Sequence, residues 1–216
     1  MEILMALILF FVVFYSSQII RKNLRNFRYA TLIRSIIFYI PFLLPLIFFN
    51  DYVHFGQGNM TILSLIISIV VSIIGILIHL NDYKIYLNKD IYYLIQPIPF
   101  SKFAVMESSL IFSVIAEEIF YRKVLGDILS NERIITIISV VSVLFVLSHY
   151  LQEDTRKIFN KKTYLTITIL SVGWTTSYLL SGNIIIPIIG HFLFNLPNMI
   201  ITMARYYLPK RYQSSL

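Results

Sequence analysis

The chain has no cysteine, which excludes a disulfide framework, a thiolate nucleophile and any Cys-ligated metal. Charge is scarce as well: 13% of the 216 residues carry one, about half of what a soluble domain of this size would hold. Acidic residues are the scarcer sign, 11 against 18 Lys and Arg, for a formal net charge of +7. A basic surplus can point to nucleic acid. Here the basic residues fall in short loops between apolar runs, where they act as a membrane-orientation signal, so no nucleic-acid partner is expected. Internal repeats and low-complexity segments are lacking too, which argues against a solenoid and against the duplicated halves of many transporters.

Apolar residues are what the chain has in abundance: 57% by count, with a mean hydropathy of +0.76. Several runs reach the ~18 residues needed to cross a hydrocarbon core of ~30 Å. The expected fold is all-α: a polytopic transmembrane helical bundle forming one domain over 1–216, with lipid around it. Seven spans are predicted, at 3–20, 32–49, 61–80, 104–125, 134–151, 163–180 and 184–206. The first is expected to remain uncleaved, because Glu2 precedes it and neither a basic n-region nor an A-x-A site appears. Pro41 and Pro45 should kink the second span, and Pro187 and Pro197 should shape the seventh. The polar stretch 81–103 mixes Tyr, Ile and Lys and reads as a segment lying at the interface.

Basic residues alternate between loops. Arg21, Lys22, Arg25 and Arg28 follow the first span, and none lies in 50–60. Lys84, Lys89 and Lys102 precede the fourth span. Arg156, Lys157, Lys161 and Lys162 separate the fifth and sixth, and Arg205, Lys210 and Arg211 close the chain. This parity predicts a multi-pass cell-membrane protein with its N-terminus outside and its C-terminus cytoplasmic.

The fourth span, which contains VIAEEIFYRKVL, is the anomaly. Each mid-helix charge costs roughly 2.5–3.5 kcal/mol on an insertion scale, so Glu117, Glu118 and Arg122 cost on the order of 8–10 kcal/mol. The large apolar residues of the span return only about 3–6 kcal/mol. Such a helix turns its charges into a bundle or a wet cavity, where intramembrane ionisable groups mark function. Neighbours on a helix point ~100° apart, so the two glutamates have different partners. Glu118 and Arg122 stand at i,i+4 with the acid first, the favoured order for an ion pair. Glu117 has only Phe120 and Tyr121 at the corresponding positions. Left without a cation on its helix, it suits a general base.

Two other spans carry imidazoles at depth. Phe145 and His149 share a face at i,i+4 on the fifth, and His191 and Asn195 do so on the seventh. His54 and His79 are the remaining histidines, in an outer loop and at the end of the third span. Taken singly, each feature has a bland account: an interfacial histidine, interhelical hydrogen-bonding glue, a helix-stabilising ion pair. A free carboxylate, two imidazoles and an amide on three helices are also the parts needed to activate water and hold an oxyanion.

The succession E-E-x-x-x-R (Glu117, Glu118, Arg122), F-x-x-x-H (Phe145, His149) and H-x-x-x-N (His191, Asn195) resembles the CPBP/Abi family. That family comprises the type II CAAX prenyl endopeptidases and their bacterial relatives, which are intramembrane proteases. The resemblance covers a core of about residues 100–200. It implies that Glu117 with His149 activates the attacking water, that His191 and Asn195 hold the oxyanion, and that Glu118 with Arg122, alongside Phe145, orients the site. The expected activity is hydrolysis of a peptide bond in a small hydrophobic, amphipathic or lipidated peptide or protein. Peptide-pheromone or bacteriocin processing, or immunity, are roles by analogy. No cofactor is firmly implied. Glu117, His149 and His191 could supply a His₂Glu zinc set, although H-E-x-x-H is lacking and the preferred reading is metal-free.

Two readings from other classes compete with it. One is a non-enzymatic membrane scaffold or immunity protein, and the other a proton-coupled transporter, which would also bury Glu and His. The predicted topology also carries a tension. Glu117 lies ~20 Å along its span from the inner end, and His191 ~10 Å from the outer end of its own. His149 sits near the inner end of the fifth span, so extending that span through about Arg156 is the expected remedy.

Overall fold

The computed structural model describes residues 1–23, 33, 36–48 and 60–213. His54, Arg25, Arg28 and part of the second expected span lie outside them. Among the described residues all regular structure is helical. The first half comprises α1 (Glu2–Asn23), two short helices α2 (Ile40–Leu43) and α3 (Pro45–Phe48), α4 (Thr61–Ile78), and then α5 (Leu80–Lys84) and α6 (Ile91–Leu94). The second half begins with α7 (Phe100–Glu118), which passes through a π-helical turn at Ile119–Val124 into α8 (Leu125–Ile128). It continues with α9 (Ile134–Leu151), α10 (Glu153–Ile158), α11 (Lys161–Ser181) and α12 (Ile185–Gln213).

The helix boundaries follow from local chemistry. Pro45 opens α3 and separates it from α2, since it cannot donate to the preceding turn, while Pro41 sits in the first turn of α2, where no donor is needed. α11 starts where the Asn160 side chain accepts the Thr163 backbone N–H at 2.9 Å, an N-cap. It stops at Gly182, whose φ of 62° suits glycine because it has no Cβ. The expected interfacial stretch becomes α5, a 3₁₀ turn and α6, with Leu87 and Leu94 exposed.

Among the described residues, four helices are long and apolar enough to cross a membrane: Glu2–Asn23, Thr61–Ile78, Ile134–Leu151 and Ile185–Pro209. The chain is a multi-pass membrane protein. The other expected spans are of different character. α7 carries Lys102, Glu107, Glu117 and Glu118, and α11 is rich in Ser and Thr. The tertiary contacts pair helix ends consistently. Asn131 bonds Glu2 at one end of the bundle. Arg21 pairs with Asp154, Lys162 with Asp82 at 2.9 Å, and Ile98 N–H with the Arg205 carbonyl at the other.

Close packing holds the central helices. In lipid there is little hydrophobic force between helices, so small residues and interhelical hydrogen bonds take over. Ser64, Ser68, Ser72 and Gly75 form one buried face of α4, against α11 and α12. Ser68 Oγ donates to Ile186 O at 3.0 Å, and Ser72 Oγ lies 2.8 Å from Gly190 O and 2.7 Å from Ser68 O. Trp174 Nε1–H donates to Ser72 Oγ at 3.1 Å. This seam fixes the height of Gly190, and so of His191 beside it.

The extension of the fifth span through Arg156 does not occur. α9 ends at Leu151, Gln152 is extended with ψ of 115°, and a separate helix begins at Glu153. The helix heights differ instead. α7 starts earlier than expected, at Phe100, and α12 runs on to Gln213. The two meet beyond the other helices, where Phe103 stacks on Tyr206 with centroids 4.6 Å apart.

A Cβ on Gly190 would lie 2.1 Å from Ser68 Oγ and 2.9 Å from the Ser68 carbonyl, whereas one on Gly126 meets nothing closer than 3.5 Å. Gly190→Ala is therefore expected to lower stability by about 1–3 kcal/mol. Gly126→Ala should be neutral or slightly stabilising. Melting of both variants in detergent checks the contrast.

Candidate functional site

The EE pair closes the regular part of α7, and the next turn is π-wound. π-turns add a residue to a helical turn and recur at functional sites. Here Phe120, Tyr121, Arg122, Lys123 and Val124 are all buried in succession, more than one α-helical stripe would supply. Arg122 is fully buried, its Nε 3.1 Å from Glu118 Oε2. The N–H is out of line for a hydrogen bond along that contact, so charge rather than hydrogen-bond alignment holds the pair. The guanidinium also donates to Ser171 Oγ at 3.2 Å and stands 4.4 Å from the centre of the Phe145 ring, an aromatic face for a cation.

Glu118 has a second partner, on another helix. Its Oε1 accepts from His191 Nδ1 at 2.8 Å. A carboxylate only accepts, so Nδ1 carries the hydrogen and Nε2 is the ring's remaining polar atom. The ring stacks on Trp174 at 4.4 Å between centroids. The ion pair of α7 therefore sets the rotation of an imidazole on α12.

His149 is fixed by its own helix. Its Nδ1 lies 2.9 Å from the Phe145 carbonyl, an acceptor only, so this nitrogen too bears the hydrogen and Nε2 keeps a lone pair. Phe159 stacks on the ring at 5.9 Å, and the Phe145 ring lies 4.8 Å away, tilted against it. Phe145 also lies 6.4 Å from the His191 ring, so it neighbours both imidazoles.

Glu117, His149, His191 and Asn195 line a single cavity of about 420 Å³, with Phe145 and Trp174 in its wall. Glu118 and Arg122 lie behind that wall. Neither Glu117 nor Asn195 has a hydrogen bond or ion pair among the described residues, so both polar ends remain available to the cavity. The position of Glu117, ~100° around the helix from Glu118, is the reason one glutamate faces the cavity and the other the ion pair.

Several residues in or behind the cavity wall carry no recognisable sequence signal. Ser171 and Trp174, one turn apart on α11, contact Arg122 and His191 from a span that bears no motif. His79, Tyr83 and Asn198 complete the wall. His79 is held by Asp82 at 2.8 Å, and Asp82 also accepts from Lys162. Lys162 and then His79, by hydrogen bonding, hold the Asp82 carboxyl below its ordinary range. That Trp174 is the chain's single tryptophan is the only hint the sequence offers.

No group of three His, Asp or Glu among the described residues forms a metal-ligand set. Glu117, His149 and His191 share the cavity without converging as one.

Residues 99–197, a little under half of the chain, match the family model described as Type II CAAX prenyl endopeptidase Rce1-like. All seven motif residues fall inside that stretch. No curated protein and no solved structure matches the chain.

Removing the guanidinium strands a carboxylate that is fully out of water. Arg122→Ala is expected to cost about 3–5 kcal/mol, read as a lower melting temperature in detergent. A variant as stable as wild type would show that the Glu118–Arg122 contact carries no such energy.

Proposed function

On the likeness of residues 99–197 to the type II CAAX prenyl endopeptidase model, we propose that this chain is a member of the CPBP/Abi family and a glutamate-dependent intramembrane endopeptidase. The observation that carries the mechanism is the meeting of Glu117, His149, His191 and Asn195 on one cavity wall. The substrate is a small hydrophobic, amphipathic or lipidated peptide. Peptide-pheromone or bacteriocin maturation, or immunity, is the setting such a substrate suits.

Water is bound between the Glu117 carboxylate and His149 Nε2. Glu117 takes its proton as the oxygen attacks the scissile carbonyl, and His149 holds the water by accepting its second hydrogen. Charge then develops on the carbonyl oxygen. The Asn195 amide N–H donates to it, and so does His191 Nε2 when protonated, with Glu118 offsetting the imidazolium through Nδ1–H. Collapse of the tetrahedral intermediate breaks the C–N bond, and Glu117 returns its proton to the departing amine. Arg122 keeps Glu118 in place, while Phe145 and Trp174 fix the rings and limit water. The scheme is metal-free, and the membrane-buried wall keeps its electrostatics strong.

Orientation follows from charge. The end bearing Arg21, Lys162 and Arg205 faces the cytoplasm, and Asn131 and Asn183 lie outside. The remaining helical segments complete seven crossings.

In purified protein, Glu117→Gln is expected to lower turnover of a cleaved peptide by about 100- to 10,000-fold with the melting temperature unchanged, and wild-type turnover should survive a chelator. Undiminished cleavage by Glu117→Gln would remove Glu117 from the mechanism. Zinc-dependent recovery after chelation would replace the metal-free scheme. The absence of native cysteine makes orientation simple to read. In intact cells a membrane-impermeant maleimide should label a single cysteine placed at Asn183 and spare one placed at Lys157.

A further inference from the structure

A second cavity, of about 740 Å³, adjoins the first and shares Tyr83, Leu110, Ile158 and Asn198 with it. Val105, Met106 and Ile201 make much of its wall apolar, and Arg205 is its one cationic lining residue. Along α12, His191, Asn195, Asn198, Thr202 and Arg205 recur at spacings of four, three, four and three, which puts them on one face of the helix. The first two line the first cavity, Asn198 lines both, and the last two line the second. One polar ladder thus runs from the proposed oxyanion donors to a guanidinium.

That guanidinium has no carboxylate and no side-chain hydrogen bond among the described residues. The acid in the same cavity, Asp82, is already held by Lys162 and His79. Arginine presents a planar fork suited to a carboxylate. A doubly charged phosphate headgroup would call for more than one cation, and Asp82 beside it would repel one. Asn195 and Arg205 are ten residues apart, about 15 Å along the helix. An extended peptide covers that in about four to five residues at ~3.3 Å each, or about three once the arginine side chain reaches back.

Building on the proteolytic reading above, we infer that the second cavity is a substrate subsite in which Arg205 binds a peptide carboxylate three to five residues from the scissile bond. The apolar wall receives the intervening side chains, and Asn198 and Thr202 face the peptide backbone. Arg205 is a specificity residue and takes no part in bond cleavage.

The test uses the full-length protein in lipid nanodiscs and a synthetic library of N-acylated apolar peptides. A single Glu, Gln or Lys is walked along each sequence, and every peptide is made as the C-terminal acid and as the amide. Cleavage products are mapped by mass spectrometry. For wild type, kcat/KM should favour a Glu peptide over its Gln counterpart by about 10- to 100-fold, the yield of one charged hydrogen-bonded pair, and only where the carboxylate lies three to five residues from the cut. Acid-against-amide pairs report whether a chain terminus fills the role of the side chain. Arg205→Gln should erase the ratio, and Arg205→Glu should transfer the preference to Lys peptides, with both melting temperatures near that of wild type. A wild type indifferent to the carboxylate, or a ratio that persists in Arg205→Gln, overturns the subsite and leaves the protease reading standing. If wild type cuts no library member faster than Glu117→Gln does, the protease reading falls and the subsite with it.

Discussion

The ion pair between Glu118 and Arg122 is the constraint on which the rest of the site depends. Both side chains are fully buried, and neither can be left alone out of water without a penalty of several kcal/mol. Each must therefore be met by polar or aromatic partners from other helices. His191, Ser171, Phe145 and Trp174 meet that demand. In doing so they tie α7 to α9, α11 and α12. A charge pair that is expensive to bury thereby selects one arrangement of four helices, and the imidazole on α12 acquires its orientation as a consequence.

The seam on α4 supplies what the ion pair cannot, the relative height of the helices. Serine hydroxyls bonded to Ile186 and Gly190 carbonyls allow contact only at one register, because the neighbouring glycines leave no room for a methyl group. Trp174 joins the two devices, donating to Ser72 on one edge and stacking on His191 with its face. Packing and the geometry of the site are therefore one network, and α4, a helix with no motif of its own, sets the position of the site.

Much of this was legible in the chain itself. Apolar runs announced a helical membrane bundle, and the i,i+4 spacing of Glu118 and Arg122 announced their pairing, because helical geometry makes such neighbours meet. The separation of Glu117 from that pair followed from the same angle. What misled was length. The fifth span was expected to reach Arg156, yet Gln152 ends it, and the height difference is absorbed by α7 and α12 running past their neighbours. Hydropathy measures how apolar a segment is, and cannot say how far two amphipathic helices extend when they cover one another's polar faces. Of the seven expected spans, four coincide with helices that are apolar enough alone among the described residues. The polar faces of α7 and α11 are turned largely toward other helices.

By itself, then, the sequence determined the class of fold, the pairing along each helix and the membership of a motif set, since all three depend on local spacing and composition. Only the tertiary structure decided that Glu118 reaches His191, that Trp174 lines the cavity and that Ser171 meets Arg122. It alone decided, too, that a second cavity ending at Arg205 continues from the first. Those contacts join residues dozens of positions apart. Their geometry is fixed by how helices slide and rotate against one another, a degree of freedom that no local pattern of residues records.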